Sequence, residues 1–239
     1  MQAIIMAGGK GSRLRPLTDG MPKPLVKIID KPVMEYVVIN LRRAGVKDVA
    51  VTVGYRKDMI MDYFGDGRRW GLHLEYFEED VPLGTAGGVK ACEEYIESDF
   101  FVLSADGFCN LNLKDMEDYH RQKGRIATIA VKKLSDARGF GLVKTQNGIV
   151  SDFQEKPAVK CSGRVNTGIY AFKRDIFGYI PKGFADFSYD VFPLLKGEAC
   201  VYKGNFFWSD IGTLPKYYST NGYVCEHPSD FGVRLEYST

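Results

Sequence analysis

Through its first half the chain alternates short apolar runs with stretches of helical periodicity. Gln2–Met6, Asp48–Val53, Leu72–Phe77 and Phe100–Ser104 are mainly apolar runs of strand length. Between and after them, Pro32–Ala44, Lys57–Phe64, Ala86–Ile96 and Leu113–Lys123 show the spacing of amphipathic helices. Pro32 suits a first helical position and Gly45 a stop. This βαβα order predicts an α/β fold with a mainly parallel, Rossmann-like sheet covered by helices on both faces. Ligands of such sheets bind beyond the carboxyl ends of the strands. The segments "AGGKGSRLR" (7–15) and "SADGF" (104–108) fall at such ends.

From Ile126 the rhythm changes. Ile126–Lys132, Gly141–Lys144, Ile149–Phe153 and Val165–Phe172 predict strands joined by short turns such as Asn147-Gly148. Short helices over Asp175–Tyr179 and Tyr189–Leu195, a strand near Ala199–Lys203 and a closing helix over Leu214–Thr220 follow. No linker or repeat interrupts the pattern. The expectation is one domain over residues 1–239, with an α/β half (1–125) and an added mixed sheet lobe (126–220).

Composition changes this picture little. Hydrophobic residues make up 45% of the 239, charged residues 26%, and the net charge is +2. These values are those of a globular domain and give no reason to expect nucleic acid or an anionic membrane as partner. The run of residues at the start lacks the order of a signal peptide, and no apolar stretch approaches a membrane span. Five scattered cysteines without a Cys-x-x-Cys pair suit free thiols in a reducing compartment, so a cytoplasmic location is expected. The acidic cluster Asp115, Glu117 and Asp118 reads as a solvated helix face. Trp70 and Trp208 read as core or pocket wall rather than a stacking platform.

The glycine loop after the first run matches neither common nucleotide motif. Counting Gly9 and Gly11 as the first pair of a dinucleotide fingerprint puts Leu14 where the third glycine belongs. A Walker loop would end Gly-Lys-Ser/Thr, and this one ends Gly11-Ser12-Arg13. Two readings stay open: an anion-binding nest of backbone N–H groups, or a solvated basic turn. Lys23, set between Pro22 and Pro24, adds a positioned cation to the same region.

"MAGGKGSRLRPLT…MPKPLV" resembles the signature of the sugar-1-phosphate nucleotidyltransferases, the NDP-sugar pyrophosphorylases. Six further blocks follow in that family's order: "PLGTAGGV" (82–89), "LSADG" (103–107), "FGLV" (140–143), "FQEKP" (153–157), "VNTGIYAF" (165–172) and "WSDIGT" (208–213). Two of them are most similar to mannose-1-phosphate guanylyltransferases. The resemblance implies a glycosyltransferase-A-like fold and the reaction of an NTP with a sugar 1-phosphate, giving NDP-sugar and pyrophosphate. The first substrates to expect are GTP and mannose 1-phosphate. UTP, dTTP or CTP with glucose 1-phosphate or another sugar phosphate is the alternative. A non-catalytic regulatory paralogue should have lost Arg13, Lys23 or an aspartate, and this chain keeps them.

Carried over block by block, the resemblance gives each residue a role. Ala7, Gly8, Gly9, Gly11 and Ser12 would hold the nucleotide phosphates. Leu83, Gly84, Gly87 and Gly88 would pack against the base. Arg13 and Lys23 would neutralise the triphosphate. Asp106 and Asp210 would share a Mg²⁺, the cofactor the resemblance implies. Gly141, Glu155, Lys156, Asn166 and Thr167 would take the sugar phosphate. Homo-oligomers are implied as well, by resemblance alone. Asp106 and Asp210 also have plain readings as turn residues, and Glu155-Lys156 as a surface pair.

Overall fold

The computed structural model describes residues 1–233. In chain order the elements are β1 (Gln2–Ala7), β2 (Lys27–Ile28), β3 (Lys31–Pro32), α1 (Val33–Arg43), β4 (Asp48–Val53), α2 (Lys57–Phe64) and β5 (His73–Glu78). Then come α3 (Gly84–Ala91), β6 (Phe100–Ser104), β7 (Gly107–Cys109), α4 (Leu113–Lys123), β8 (Ala127–Leu134), β9 (Gly141–Gln146) and β10 (Ile149–Glu155). The chain continues through β11 (Gly163–Phe172), β12 (Ala199–Tyr202), β13 (Trp208–Asp210) and α5 (Leu214–Glu226).

A nine-stranded sheet runs through the molecule in the order β5-β4-β1-β6-β11-β8-β12-β10-β9. The first four strands are parallel, with Ile5 opposite Val51 on one side and Leu103 on the other. Strand β11 then pairs antiparallel with β6 and β8, and β12 runs parallel to β8. The mixed strands after residue 126 therefore extend the parallel sheet itself. Strand β9 also touches β11 at Leu142 and Val165, which curls the far end back on itself.

The alternation in β1 divides the core. Ala3 and Ile5 face one layer with Val37 and Leu41 of α1, Phe64 of α2 and Met116 of α4. Ile4 faces the other, with Val89 of α3 and the aromatics Phe100, Phe172, Phe177 and Phe187. Each fully buried side chain of this size contributes about 1.5–3 kcal/mol, so both faces of the central strand are fixed. A third cluster, including Leu14, Ile28, Tyr36, Phe108, Ile211 and Val224, ties the segment after the glycine loop to α5. Its position matters for the site, because it anchors residues 14, 108 and 211 beside each other.

Several boundaries differ from the pattern. Pro32 precedes α1 as its cap, with ψ 143°, rather than opening it. Helix α3 starts at Gly84 and ends at Ala91, five residues before the expected stop; turns at Cys92 and Ile96 replace its last stretch. The region 187–195 is a π-helical turn followed by a 3-10 turn, which Pro193 favours by removing a backbone donor. The acidic face of α4 is not fully solvated. Glu117 is buried and accepts from Arg121 (2.6 Å) and Lys114 (3.2 Å).

Candidate active site

Strand β1 ends at Ala7, and the chain leaves the sheet through Gly8–Gly11. Gly11 has φ +63°, a left-handed conformation that glycine adopts without penalty, and a Cβ there would stand 2.7 Å from the Cβ of Lys23. The turn Ser12–Leu14 follows, with Leu14 buried and Arg13 exposed. Leu14 thus pins the loop while its neighbour stays available. The loop floors a cavity of about 420 Å³, within the range of small-molecule sites. Its walls include Gly8, Gly9, Gly11, Ser12, Arg13, Lys23, Glu79, Gly84, Ser104, Asp106 and Gly212.

Lys23 is 7% exposed, unusual for a lysine, and its ammonium donates to Asp106 Oδ2 at 2.5 Å. Pro22 and Pro24 set the turn that aims it. Asp106 follows the end of β6, and Ser104 Oγ donates to its Oδ1 at 2.5 Å. Burial alone would raise the Asp106 carboxyl. The Lys23 cation and the hydrogen bonds from Lys23 and Ser104 outweigh it and hold the group below the usual carboxylate range. Asp106 is therefore an anion at neutral pH.

Asp210 reaches the same corner from the far end of the sequence. It ends β13, which pairs antiparallel with β7 so that Asp210 lies opposite Gly107, the residue after Asp106. Its Oδ1 accepts from Lys216 of α5. A Cβ on Gly212 would stand 3.3 Å from Asp210 Oδ2 and 3.8 Å from Arg13, so these two groups flank one glycine.

Glu79, given no role by the sequence pattern, sits on the cavity wall after β5. Its Oε2 accepts from Leu83 N–H at 3.0 Å. Its Oε1 lies 2.6 Å and 3.3 Å from where Cβ atoms on Gly88 and Gly8 would be. Gly8 and Gly88 leave the space this carboxylate occupies. Gly84, with φ +75°, and Gly87 instead admit the backbone of Gly183–Ala185. Leu83 and Gly87 line a smaller neighbouring groove, away from the main cavity wall.

The residues assigned to sugar phosphate gather on the antiparallel strands, outside the lining of the main cavity. Glu155 pairs in register with Gly141, and its carboxylate binds the Lys156 ammonium at 3.0 Å. Lys156 has φ +44°, and its N–H donates to Phe140 O. Asn166 donates to the Tyr170 hydroxyl at 2.8 Å, and the Thr167 hydroxyl donates to Ala130 O at 2.8 Å. Thr167 is buried and reaches its surroundings through its carbonyl, which accepts from Trp208 Nε1. Trp208 packs edge-on against Phe140, so this ring pair joins the hairpin to β13.

Asp106, in the turn between β6 and β7, and Asp210, at the end of β13, offer hard oxygen donors. No group of three potential ligands occurs among the described residues. That donor set fits Mg²⁺, which is commonly held by one or two carboxylates with water and substrate phosphates completing its shell.

The nucleotidyl transferase family profile matches residues 2–227. The chain belongs to that family. It is 38% identical to a UTP–glucose-1-phosphate uridylyltransferase of Synechocystis sp. over 91% of its own length and 62% of that protein's. It is 35% identical to mannose-1-phosphate guanyltransferase beta-A of Xenopus laevis over 89% of its length and 61% of the relative's. The chain thus spans about three-fifths of these curated relatives. HddC of Yersinia pseudotuberculosis, solved with GMP-PN, superposes with a TM-score of 0.80 at 26% identity, covering 93% of this chain and 98% of that one. The resemblance to sugar-1-phosphate nucleotidyltransferases agrees with these relatives' names. They divide between uridylyl and guanylyl transfer. No helix among the described residues is long and apolar enough to cross a membrane.

Proposed function

We propose that this chain transfers a nucleotidyl group from an NTP to a sugar 1-phosphate, releasing pyrophosphate. An oxygen of the sugar phosphate attacks the α-phosphorus, and the bond to the β-phosphate oxygen breaks. Residues 1–125 serve the nucleotide and residues 126–220 the sugar phosphate. The observation that carries the reading is the cavity in which a glycine loop, Arg13 and the pair of buried Lys23 with half-buried Asp106 meet.

The attacking group is already an anion, so no side chain need remove a proton from it. The obstacle is charge: two unit negative charges 4 Å apart repel by roughly 4 kcal/mol at an effective dielectric of 20. The Gly8–Gly11 backbone, Arg13 and Lys23 supply donors and cations where the triphosphate would lie. Asp106 and Asp210 would hold Mg²⁺, which would supply Lewis-acid neutralisation of the reacting phosphates. Glu155 accepts from sugar hydroxyls, and Lys156 turns from it to the sugar phosphate.

Guanine is favoured as the base. Glu79 lies on the cavity wall, and its Oε1, seated beside Gly8 and Gly88, accepts no hydrogen bond from the described residues; guanine offers adjacent N1–H and N2–H donors. The guanyltransferase relative and the nucleotide bound to HddC support GTP with mannose 1-phosphate. The uridylyltransferase relative supports UTP with glucose 1-phosphate as the second reading. Pyrophosphate release over four NTPs and several sugar 1-phosphates tests both. GTP with mannose 1-phosphate should lead, and no release with any pair would overturn the reaction.

A further inference from the structure

Lys216 belongs to none of the groups so far given a role, yet it stands between two of them. It lies in the first turn of α5, where the helix dipole disfavours a cation, and no acidic residue shares that turn. Its ammonium is held there from two sides. Asp210 accepts its hydrogen bond, and the Phe140 ring lies beneath it with the centroid 4.2 Å away. An ammonium over an aromatic face is attracted by the ring quadrupole.

Both contacts lead to the two substrates' sides of the reaction. Asp210 lies opposite Gly107, beside Asp106. Phe140 precedes Gly141, and its carbonyl accepts from the backbone of Lys156. Lys216 is partly exposed, with about 40% of its side chain accessible, so the ammonium can turn without unfolding α5. Lys156, the other cation on this side, is tied to Glu155.

From this placement we infer that Lys216 is an exchangeable counter-ion: it holds the Asp210 carboxylate before the divalent cation binds and passes to the sugar 1-phosphate when it does. The inference rests on the reaction proposed above. Two consequences are opposite in sign. While Lys216 is paired with Asp210 it competes with the cation, so its removal should tighten metal binding. Once released, it is a donor to the sugar phosphate, so its removal should weaken that ligand. A lysine serving only to anchor α5 would do neither.

The test uses Lys216→Met, which keeps most of the aliphatic stem, and Lys216→Arg, which keeps the charge. Mn²⁺ binding to the nucleotide-free protein is followed by electron paramagnetic resonance, and mannose 1-phosphate and glucose 1-phosphate binding by calorimetry at a saturating concentration of Mg²⁺. Lys216→Met should bind Mn²⁺ about fivefold tighter or better and the preferred sugar phosphate about fivefold weaker or worse, the scale of ordinary coupling between ligands. Lys216→Arg should restore the sugar-phosphate binding. Unchanged Mn²⁺ affinity or unchanged sugar-phosphate binding in a folded Lys216→Met protein overturns the inference. Both measurements are made without turnover, so a parent protein that binds these ligands but releases no pyrophosphate would overturn the reaction and still judge Lys216.

Discussion

At the parallel end of the sheet, β1 and β6 deliver their functional groups on the segments that follow them. At the antiparallel end, β9, β10 and β11 carry such groups on or beside the strands themselves. The two arrangements leave polar atoms in different states. Around the cavity, the glycine loop and Arg13 face open space, while Asp106 is paired with Lys23 and Ser104 and Glu79 accepts from Leu83 N–H. On the antiparallel side Glu155 holds Lys156, Asn166 holds Tyr170 and Thr167 holds Ala130. The first region is ready to receive anions, whereas the second must give up internal partners to bind. A strand pairs its backbone along its length and keeps its side chains close to neighbours; a loop beyond the sheet need not.

The largest test of this contrast is Asp106→Asn. Pyrophosphate release should fall by ~10²–10³ or more, as when a charge-stabilising group is removed. Asp210→Asn should act similarly, and on the proposed shared cation the double variant should be scarcely worse than the worse single, as for groups acting as a unit. Two adjacent carboxylates alone would suggest that Asp106→Asn relieves repulsion without metal. The structure reverses that expectation, because the substitution leaves the buried Lys23 without its counter-charge. Thermal unfolding of the metal-free variant should show a loss of about 1–3 kcal/mol. Arg13→Ala should also cost roughly 10² in turnover. Its melting temperature should match the parent's, because Arg13 is exposed while Leu14 holds the loop.

On the antiparallel side the expected effect is smaller. Glu155→Gln should raise the apparent KM for sugar 1-phosphate roughly five- to tenfold, the worth of one hydrogen bond. The KM for NTP should not move. A rise confined to NTP would erase the division between the two regions.

The smallest effect concerns stability rather than turnover. His120, on α4, is buried, with Nδ1 against Thr128 Oγ1 at 2.7 Å and Nε2 without a partner. Burial lowers its pKa from about 6.5, Lys173 and Arg121 lower it further, and Asp99 opposes them. The unfolded chain therefore takes up the proton first. Stability is full above about pH 6.5 and declines as pH falls through that value toward the lower folded pKa, by at most about 1.4 kcal/mol per pH unit. Denaturant melts from pH 8 to 5 should show this slope, and His120→Leu should remove it.

The sequence makes the parallel end legible almost to the residue: Asp48–Val53, Lys57–Phe64, Phe100–Ser104 and Leu113–Lys123 keep their expected bounds. Periodicity and apolar runs report local burial: the two helices are buried on one face and the two strands on both. Strand order among β8–β12 is set by long-range pairing and leaves no local trace. The three-residue strands β7 and β13 are too short for any period, yet they bring Asp210 to Asp106. Lys216 and Glu79 sit in or beside elements that the pattern does predict, but their partners (Asp210, Phe140, Leu83 and the glycines) are set by tertiary contacts, and each leaves only a faint sign. A lysine in a helix's first turn opposes the dipole, and an acidic run at a strand's carboxyl end lies where ligands bind.

The ribbon of β7 with β13 also bears on how the protein is made. The nine-stranded sheet is complete once β12, ending at Tyr202, has paired, but Asp210 lies beyond it. During synthesis, a chain that has emerged only through β12 contains every strand of the main sheet without the second carboxylate. On the proposed function, competence to bind a cation through both aspartates would wait for the last strand, whose closure spans about a hundred residues and carries a loop-entropy cost that grows only slowly with length. Assembly of the scaffold and arming of the site are separate events in time.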